Sequence, residues 1–452
     1  MMRDPAFGSL QKPTPLELRG RRVLILGLGD TGLSAARWVE RAGGTPRVAD
    51  TRSHPPRRAD FAGEFRGGAF SGELLHGIDL LCISPGLSLE EKIVRDAVGQ
   101  GIPVVGDVEL FAWENKAKVL AVTGTNGKST VTALTGHLLR AAGVDCEVAG
   151  NISPPVLSAF LNRKEAPQVW VLELSSYQLE TTWSLAPHAA AMLNLSEDHL
   201  DRYAGIDDYA AAKARVFQGD GVQVLNGDDP RSMAMALPGR RMVTFGRSGD
   251  FNFAGQRLFH GKQEIIGAKD LQIHGEHNVA NALAACALAA STGVSLQQIA
   301  SGLKSFKGLP HRLELVAQRR GVEWYDDSKG TNVGATVAAL RGLGKKTVLI
   351  LGGEGKGQDF SPLREPVKKY ASLVLLIGRD APLLEKALAG LNTLRCASLE
   401  EAVRKASNIQ CEAVLLSPAC ASFDMFRDYR HRGEVFAAAV KALPPATGGP
   451  AA

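Results

Sequence analysis

The segment from Val119 to Thr130 constrains the fold more than any other part of the chain. A short apolar run leads into a turn that contains Gly124 and Gly127, and a lysine and two hydroxyl residues then open a helical stretch. Glycines allow a backbone to curl so that its N–H groups point at an anion, and the dipole of the following helix favours negative charge at the same place. The segment therefore predicts a strand, a phosphate-binding turn and a helix, in that order.

We expect this turn to bind ATP and Mg²⁺. Lys128 can reach the terminal phosphates, and the hydroxyl groups of Ser129 and Thr130 are of the kind that binds Mg²⁺. The match to the standard P-loop is partial, because Val122 stands where that pattern has its first glycine. The alternative is a plain glycine turn with a solvated lysine. The predicted ATP-binding residues of the turn are Gly124, Thr125, Asn126, Gly127, Lys128, Ser129 and Thr130.

Length and composition limit the possible classes of protein. A chain of 452 residues with 45% hydrophobic and 22% charged residues indicates a globular protein of two or three domains. The net charge of +5 is too small to favour a nucleic-acid partner. No apolar run is long enough to span a bilayer, and the polar N-terminus does not resemble a signal peptide. The six cysteines form no C-x-x-C pair. We therefore expect a cytoplasmic protein that binds no membrane, with reduced, buried thiols.

Apolar strands alternate with helical stretches along the whole chain, which predicts an α/β protein with parallel sheets. We expect three domains: a Rossmann-like domain over 1–108, a central P-loop-type ATPase domain over 109–313 and a Rossmann-like α/β domain over 314–452. A β-rich insertion is expected in the central domain, over about 240–273.

A second glycine motif allows a different function. Gly27, Gly29 and Gly32 fit G-x-G-x-x-G after a strand, and Asp50 follows about 20 residues later, as in dinucleotide-binding folds. An NAD(P)-dependent or nucleotide-sugar oxidoreductase is therefore a competing hypothesis. The same backbone geometry would also hold the diphosphate of a nucleotide sugar. A non-catalytic nucleotide-binding regulator is a third possibility.

Twelve short motifs occur in the same order as in one enzyme family. They are GLGDTG (27–32), SPG (84–86), GTNGKST (124–130), GNI (150–152), LELSSYQLE (172–180), NLSEDHLDRY (194–203), AAKARVF (211–217), HNVANA (277–282), HR (311–312), DDSKGTN (326–332), GGEGKGQDF (352–360) and SPACASFDMF (417–426). Taken together and in this order, the motifs resemble those of the Mur ligases, which use ATP to form amide bonds in peptidoglycan synthesis. The Rossmann-type N-terminal domain and the DSKGTN and SPACASFDMF stretches are similar to those of the members that add D-glutamate.

This resemblance implies a reaction and its substrates. The L-alanine carboxylate of UDP-N-acetylmuramoyl-L-alanine (UDP-MurNAc-L-Ala) would take the γ-phosphoryl group of ATP, and the amine of D-glutamate (D-Glu) would attack the acyl phosphate. ADP and phosphate would be released. The resemblance implies two Mg²⁺ ions. We expect a monomer. In that reading the three domains bind the UDP-sugar substrate, ATP and the amino acid.

The resemblance also implies roles for individual residues. Lys128, Glu173, His199 and Lys213 would be catalytic, and the metal ligands would be Ser129, Glu173, His199 and Lys213. Lys213 would act as a carbamate derived from CO₂, because a protonated lysine repels a metal ion. From its position in a helix alone, Lys213 would be a solvated residue.

Substrate contacts follow from the same motifs. The ATP-binding residues outside the turn would be Asn278 and Asn281 near adenine, Arg312 at phosphate and Asp327 at ribose. The UDP-substrate-binding residues would be Gly29, Asp30, Thr31, Thr51, Arg52, Ser84, Pro85, Gly86 and Asn151. The D-glutamate-binding residues would be Lys329, Thr331, Lys356, Ser422 and Phe423.

Overall fold

The computed structural model describes residues 10–198, 202–273 and 275–444. They form three β-sheets of five, nine and six strands with helices between the strands, which confirms the predicted α/β class. The described residues divide into two compact units. The first comprises 10–195, 202–267 and 282–303, and the second comprises 196–198, 268–273, 275–281 and 304–444. Within these described ranges, no helix combines the length and the apolar character needed to cross a membrane.

The first sheet is entirely parallel, in the order β3-β2-β1-β4-β5. Its elements are β1 (Arg22–Leu26), α1 (Asp30–Arg41), β2 (Thr45–Asp50), β3 (Glu64–Gly67), β4 (Leu80–Ile83), α2 (Lys92–Gly99), β5 (Val104–Val105) and α3 (Asp107–Glu114). The apolar run of β1 is buried almost throughout, because helices cover both faces of a parallel sheet. The predicted Rossmann-like sheet is confirmed.

The second sheet has the order β14-β13-β12-β11-β10-β9-β6-β8-β7. Its first elements are β6 (Lys118–Thr123), α4 (Lys128–Ala141), β7 (Cys146–Gly150), α5 (Val156–Leu161), β8 (Val169–Glu173), α6 (Ser176–Glu180), β9 (Ala189–Met192), α7 (Ile206–Ala214), β10 (Val222–Asn226) and α8 (Pro230–Met233). The chain continues with β11 (Met242–Gly246), β12 (Phe251–Ala254), β13 (Arg257–His260), β14 (Gln263–Gly267), α9 (Glu276–Ser291) and α10 (Leu296–Ser305). Strands β11 to β14 form the predicted β-rich insertion, and β12 to β14 are antiparallel to one another.

The third sheet has the order β15-β16-β20-β17-β18-β19, with one antiparallel edge between β15 and β16. Its elements are β15 (Glu314–Arg319), β16 (Val322–Asp326), α11 (Val333–Leu343), β17 (Thr347–Gly352), α12 (Arg364–Tyr370), β18 (Ala371–Ile377), α13 (Ala381–Ala387), β19 (Thr393–Arg395), α14 (Leu399–Ala406), β20 (Ala413–Leu416) and α15 (Tyr429–Lys441). Strands β16, β20 and β17 are adjacent, so their carboxyl ends meet at one edge of the sheet.

A cluster of aromatic rings joins the first two sheets into one core. Trp38 of α1 and Phe111 of α3 contact Phe160 of α5, with ring centroids 4.9 and 6.0 Å apart. Phe160 in turn stacks on Trp170 of β8 at 5.9 Å. Trp38, Phe111 and Trp170 belong to a single buried cluster, and the partly buried Phe160 packs against it. The two sheets therefore lie in the same compact unit, while the boundaries 1–108, 109–313 and 314–452 stay a prediction.

The thiols were also predicted correctly. All six cysteines are free; five are buried and Cys411 is partly buried. Burial raises the pKa of the Cys82 and Cys286 thiols, so these side chains are neutral apolar groups of the core.

Candidate functional site

The predicted phosphate turn lies between β6 and α4, and its glycines adopt conformations that other residues avoid. Gly124 has φ +148 and Gly127 has φ +85. A Cβ atom on Gly124 would lie 3.0 Å from the Cβ of Leu193, because the chain after β9 passes directly beside the turn. Both the backbone conformation and the close approach therefore require glycine at position 124.

Asn194 holds the turn from the neighbouring strand end. Its carbonyl oxygen accepts a hydrogen bond from the amide of Thr125 at 2.9 Å. Its side chain accepts from the amide of Asn126 at 2.9 Å and donates to the Asn126 carbonyl at 3.0 Å. The sequence analysis missed this role, although Asn194 is the first residue of the NLSEDHLDRY motif.

Two lysines converge on the carbonyl oxygens of the turn. The Nζ of Lys128, at the start of α4, donates to the carbonyls of Gly124 and Thr125 at 2.9 and 2.8 Å. The Nζ of Lys213, on α7, donates to the same Gly124 carbonyl at 2.9 Å. Lys213 is 1% exposed, so its interpretation as a solvated helix residue was wrong. Burial of a charged lysine is costly unless the charge is paired, so Lys213 is a candidate functional residue.

Glu173 ends β8 opposite the turn, with its backbone in register with Val122 of β6. One carboxylate oxygen, Oε1, accepts a hydrogen bond from Asn151 at 2.6 Å. The other, Oε2, is buried and has no hydrogen-bond partner among the described residues. Buried carboxylate oxygens are normally paired, so the orphaned oxygen fits a hard cation such as Mg²⁺. Ser129 is buried in the first turn of α4, and His199 lies outside the described residues.

The first-domain glycine loop precedes α1, which begins at Asp30 after Gly29. A Cβ on Gly32 would lie 1.8 Å from the Gly27 carbonyl oxygen, so only glycine fits at position 32. Ser84 donates a hydrogen bond to the same carbonyl at 3.3 Å, so the structure brings Ser84–Gly86 beside the loop. Thr31 lies in the first turn of α1, and Asp30 pairs with Arg57 at 2.5 Å.

Asp50 does not play the part that it has in a dinucleotide enzyme. One of its oxygens accepts from the Leu28 amide at 2.8 Å, and the guanidinium of Arg52 binds both oxygens at 2.8 Å. Burial alone would raise the pKa of Asp50, but the hydrogen bonds from Arg52 and Leu28 outweigh it and lower the pKa to about 2. Both oxygens are thus engaged by protein donors instead of a ribose hydroxyl. Thr51 is exposed beside this pair.

Asp327 follows β16 and is buried. It accepts hydrogen bonds from Ser417 at 2.7 Å and from the Leu313 amide at 3.2 Å. Burial raises the pKa of Asp327 to about 7, while Ser417 and the charge of Arg312 act in the opposite direction. Asn278 and Asn281 are buried on α9, where the Asn281 amide donates to the Asn278 side chain at 3.0 Å.

The residues predicted for D-glutamate lie on three loops at the carboxyl ends of β16, β20 and β17. The Ala419 amide donates to the Gly330 carbonyl at 2.9 Å, which joins the first two loops. Glu354 and Ala421 form a two-residue β-bridge, which joins the second and third. Ser422 is buried, Lys356 is exposed with φ +53, and Phe423 is 67% exposed. Thr331 is half-buried on the first loop, and Lys329 lies over the Tyr429 ring at 4.1 Å.

Arg432 was missed by the sequence analysis. It is fully buried on α15, and its guanidinium donates to the hydroxyl and carbonyl of Ser328 at 2.9 and 2.8 Å and to the Ala421 carbonyl at 3.3 Å. Burial lowers its pKa to about 10, so the side chain remains charged at neutral pH. A single arginine therefore ties together two of the three loops. The sequence signal that could have identified Arg432 is its i, i+4, i+8 spacing with the buried Phe436 and Val440 of the same helix.

A possible metal cluster of His311, Glu314 and Asp326 is satisfied within the protein. The ligand atoms lie within 4.8 Å of one another. However, Asp326 binds the His311 Nδ1 at 2.7 Å, and Glu314 accepts the His311 amide at 2.9 Å. The hydrogen bond to Asp326 raises the pKa of His311 despite partial burial.

Comparison with known proteins agrees with this geometry. Three Mur ligase family models match: the MurD-like N-terminal domain over residues 21–106, the middle domain over 122–289 and the glutamate ligase domain over 311–420. The chain is 51% identical to the UDP-N-acetylmuramoylalanine--D-glutamate ligase of Nitrosospira multiformis, over 96% of this chain and 98% of that protein. It is 52% identical to the enzyme of the same name from Methylobacillus flagellatus, over 95% of this chain and 98% of that protein.

Two solved structures have a similar fold. MurF from Acinetobacter baumannii has a TM-score of 0.63 at 20% identity, with 93% of each chain covered. The UDP-N-acetylmuramate-alanine ligase MurC from Thermotoga maritima has a TM-score of 0.62 at 19% identity, covering 93% of this chain and 99% of the other. These identities show the fold alone. With half of its residues identical to curated ligases over nearly the full length of both chains, this chain belongs to the Mur ligase family of ATP-dependent amide-bond-forming enzymes.

Proposed function

We propose that the chain joins D-glutamate to the L-alanine carboxylate of UDP-N-acetylmuramoyl-L-alanine, with ATP as the energy source. The observation that carries the proposal is the convergence of Lys128, Lys213 and the Gly124 turn, beside the strand end that bears Glu173. The curated relatives are named for this reaction. The proposal places the step in cytoplasmic peptidoglycan precursor synthesis.

The chemistry requires an activated carboxylate, because amide formation from a free carboxylate in water is uphill. A carboxylate oxygen attacks the γ-phosphorus, the bond to the β-phosphate oxygen breaks, and ADP leaves. The neutral amine of D-glutamate then attacks the acyl carbon and loses a proton, and phosphate leaves with the electrons of the C–O bond. Lys128 orients the transferred phosphoryl group and offsets its charge, as positioning and charge stabilisation dominate phosphoryl transfer.

We propose that Glu173 and Ser129 hold Mg²⁺, which supplies charge neutralisation at the phosphates when bound. The orphaned Oε2 of Glu173 supports this assignment. A second Mg²⁺ with His199 and a carbamate on Lys213 belong to the same proposal. The burial of Lys213 beside the Gly124 carbonyl supports its use at this site. We also propose a monomer that binds neither nucleic acid nor membrane.

Substrate contacts complete the proposal. The loop at Gly29–Thr31, with Thr51, Arg52, Ser84–Gly86 and Asn151, would hold the UDP-sugar. Asn278, Asn281, Arg312 and Asp327 would contact ATP. Lys329, Thr331, Lys356, Ser422 and Phe423 would contact D-glutamate, on loops that the backbone bonds of Gly330 and Ala421 bring together.

A coupled assay tests the function. Phosphate release from ATP should require both UDP-MurNAc-L-Ala and D-glutamate, and should stay at background with L-glutamate, L-lysine or meso-diaminopimelate. Release that needs only one of the two substrates, or that accepts L-lysine equally well, would contradict the proposal.

The carbamate is tested separately. Lys213→Ala should reduce turnover to background, and added formate or acetate should restore a part of it, because a small carboxylate can occupy the vacated space. Full activity of the variant without an additive would refute the carbamate while leaving the ligase reaction standing.

A further inference from the structure

A buried polar cluster connects the last residues of two motifs, and the proposed function gives these last residues no role. Glu180 ends the LELSSYQLE motif, and Arg202 and Tyr203 end the NLSEDHLDRY motif. We propose that Arg202, held by Glu180, is a positioning residue that fixes the Ser84–Gly86 loop for binding of the UDP-sugar substrate. This inference rests on the proposed function, because it assigns that loop to the UDP-sugar.

The guanidinium of Arg202 reaches three groups at once. It pairs with Glu180 at 2.7 Å and donates to the Pro85 carbonyl at 3.2 Å. It also lies 4.0 Å from the centroid of the Tyr177 ring. The side chains of Arg202 and Glu180 are 14% and 4% exposed, so water screens this pair far less than a surface ion pair. A planar guanidinium suits such a junction because it can form a fork of hydrogen bonds while it stacks on a ring.

The Pro85 carbonyl belongs to a loop that is anchored at its other end. Ser84 donates to the Gly27 carbonyl at 3.3 Å, and Gly27 is the first glycine of the loop before α1. The Ser84–Gly86 loop is therefore held at two points. Arg202 binds it at Pro85, and Ser84 binds it to the glycine motif. Loss of the Arg202 contact would leave the Pro85 carbonyl free to rotate, and the adjacent amides of the loop would move with it.

The other side of the cluster leads to the phosphate turn. Glu180 accepts a second hydrogen bond from the Tyr203 hydroxyl at 2.5 Å. Burial and the neighbouring Glu180 raise the pKa of Tyr203, so the phenol keeps its proton and donates. The Tyr203 ring lies 5.3 Å from that of Tyr209, and the Nζ of Lys213 lies 4.6 Å above the Tyr209 ring. One continuous set of contacts thus connects the proposed sugar-binding loop with Lys213.

A purely structural ion pair would affect stability alone, and the chain offers a matched control. Arg163 binds two carboxylates, Asp145 at 2.6 Å and Glu147 at 3.0 Å, and is only 26% exposed. It contacts none of the residues assigned to a substrate. Loss of either arginine removes a partly buried guanidinium from the first unit, but only Arg202 holds a substrate loop.

The experiment compares Arg202→Lys, Arg202→Ala and Arg163→Ala with the unmodified chain. Binding of UDP-MurNAc-L-Ala is measured by calorimetry without ATP, and KM is measured for each of the three substrates. Arg202→Lys keeps the positive charge and the fold, but a single ammonium cannot bind Glu180, Pro85 and the tyrosine face together. We expect it to weaken UDP-MurNAc-L-Ala binding about tenfold, with the KM for ATP and D-glutamate changed less than about twofold.

Arg202→Ala should weaken binding further, and Arg163→Ala should leave all three KM values unchanged. Unfolding midpoints of the three variants show whether lost stability explains any effect. The inference is overturned if Arg202→Lys binds UDP-MurNAc-L-Ala as the unmodified chain does, or if all three KM values rise by one common factor. Absence of D-glutamate-dependent phosphate release from the unmodified chain contradicts the proposed function instead, and calorimetry still tests Arg202.

Discussion

The two glycine loops of the first unit share one order of elements, but they differ in the conformation of the last glycine and in the charge of the residue that opens the helix. Each follows a buried strand and ends in a glycine that precedes the helix: Gly29 before α1 and Gly127 before α4. The first helical residue is Asp30 in one loop and Lys128 in the other. A helix N-terminus favours anions in both cases. The local pattern thus predicts an anion site, while the residue that opens the helix and its distant partners decide which chemistry the site can support.

Those distant partners differ sharply between the loops. Around the first, Asp50 binds both Arg52 and the Leu28 amide, so this carboxylate is paired and fixes the loop. Around the second, a buried lysine and the orphaned oxygen of Glu173 lie close to the strand ends. Rigid amides are sufficient to hold a diphosphate, whereas transfer of a phosphoryl group also needs charge that can stabilise the transition state.

The largest effect is expected from loss of the charge on the second loop. Lys128→Ala should reduce kcat by about 10³-fold, because charge stabilisation in the transition state is lost. Steady-state phosphate release with both substrates saturating measures it. Asp30→Ala, at the equivalent position of the first loop, is the control and should change kcat less than about threefold. Equal losses in the two variants would mean that the loops do not have separate roles.

Backbone strain gives the next comparison. Gly124→Ala should destabilise the fold by about 1–3 kcal/mol, since Gly124 has φ +148 and its Cβ would lie 3.0 Å from Leu193. Urea unfolding measures the change in the free energy of unfolding. A variant as stable as the unmodified chain would show that the turn can relax at this point.

Much of the architecture could be predicted from local patterns. The strands at 22–26, 169–173 and 347–352 are continuous apolar runs between turn residues, and these patterns need no tertiary information. The edge strands β3 and β15 were not predicted. They are short or half exposed, and their polar residues interrupt the apolar run that identifies a buried strand.

The site was predictable only in part. The phosphate turn has a sequence pattern of its own, but the partners that complete it come from far along the chain. Asn194 binds the turn from 68 positions away, and Arg432 reaches Ser328 across 104 positions. Residues of this kind are determined by the packing of whole elements. A lysine or arginine on a helix is normally solvated, so the residue type alone does not show that Lys213 and Arg432 are buried.

A third prediction concerns the ion pair that supports the first loop. Asp50→Asn should lower the free energy of unfolding by about 2 kcal/mol at pH 7, because the pKa of Asp50 is lowered from 3.8 to about 2. A lowered acid pKa stabilises the fold above the unfolded value near 3.8 and loses this contribution as pH falls toward 2. The difference between the two proteins should therefore be smaller at pH 3 by about 1 kcal/mol. Urea unfolding at both pH values measures the difference in the free energy of unfolding. A difference that does not change with pH would show that ionisation of Asp50 is not its cause.

The smallest effect on stability is expected at Gly29, the counterpart of Gly127. A Cβ at this position meets no described atom within 4 Å, and the φ of −93 is open to other residues. Gly29→Ala should therefore change the free energy of unfolding by less than about 0.5 kcal/mol. If a diphosphate lies against this backbone, the added methyl group would still raise the KM for UDP-MurNAc-L-Ala about fivefold, since the second glycine of this motif allows close approach of the phosphates. The KM for ATP should not change, because the ATP turn lies on the other sheet. An unchanged KM for UDP-MurNAc-L-Ala would show that the UDP-sugar does not bind against Gly29. A raised KM for ATP would show that the two glycine loops do not bind separate substrates.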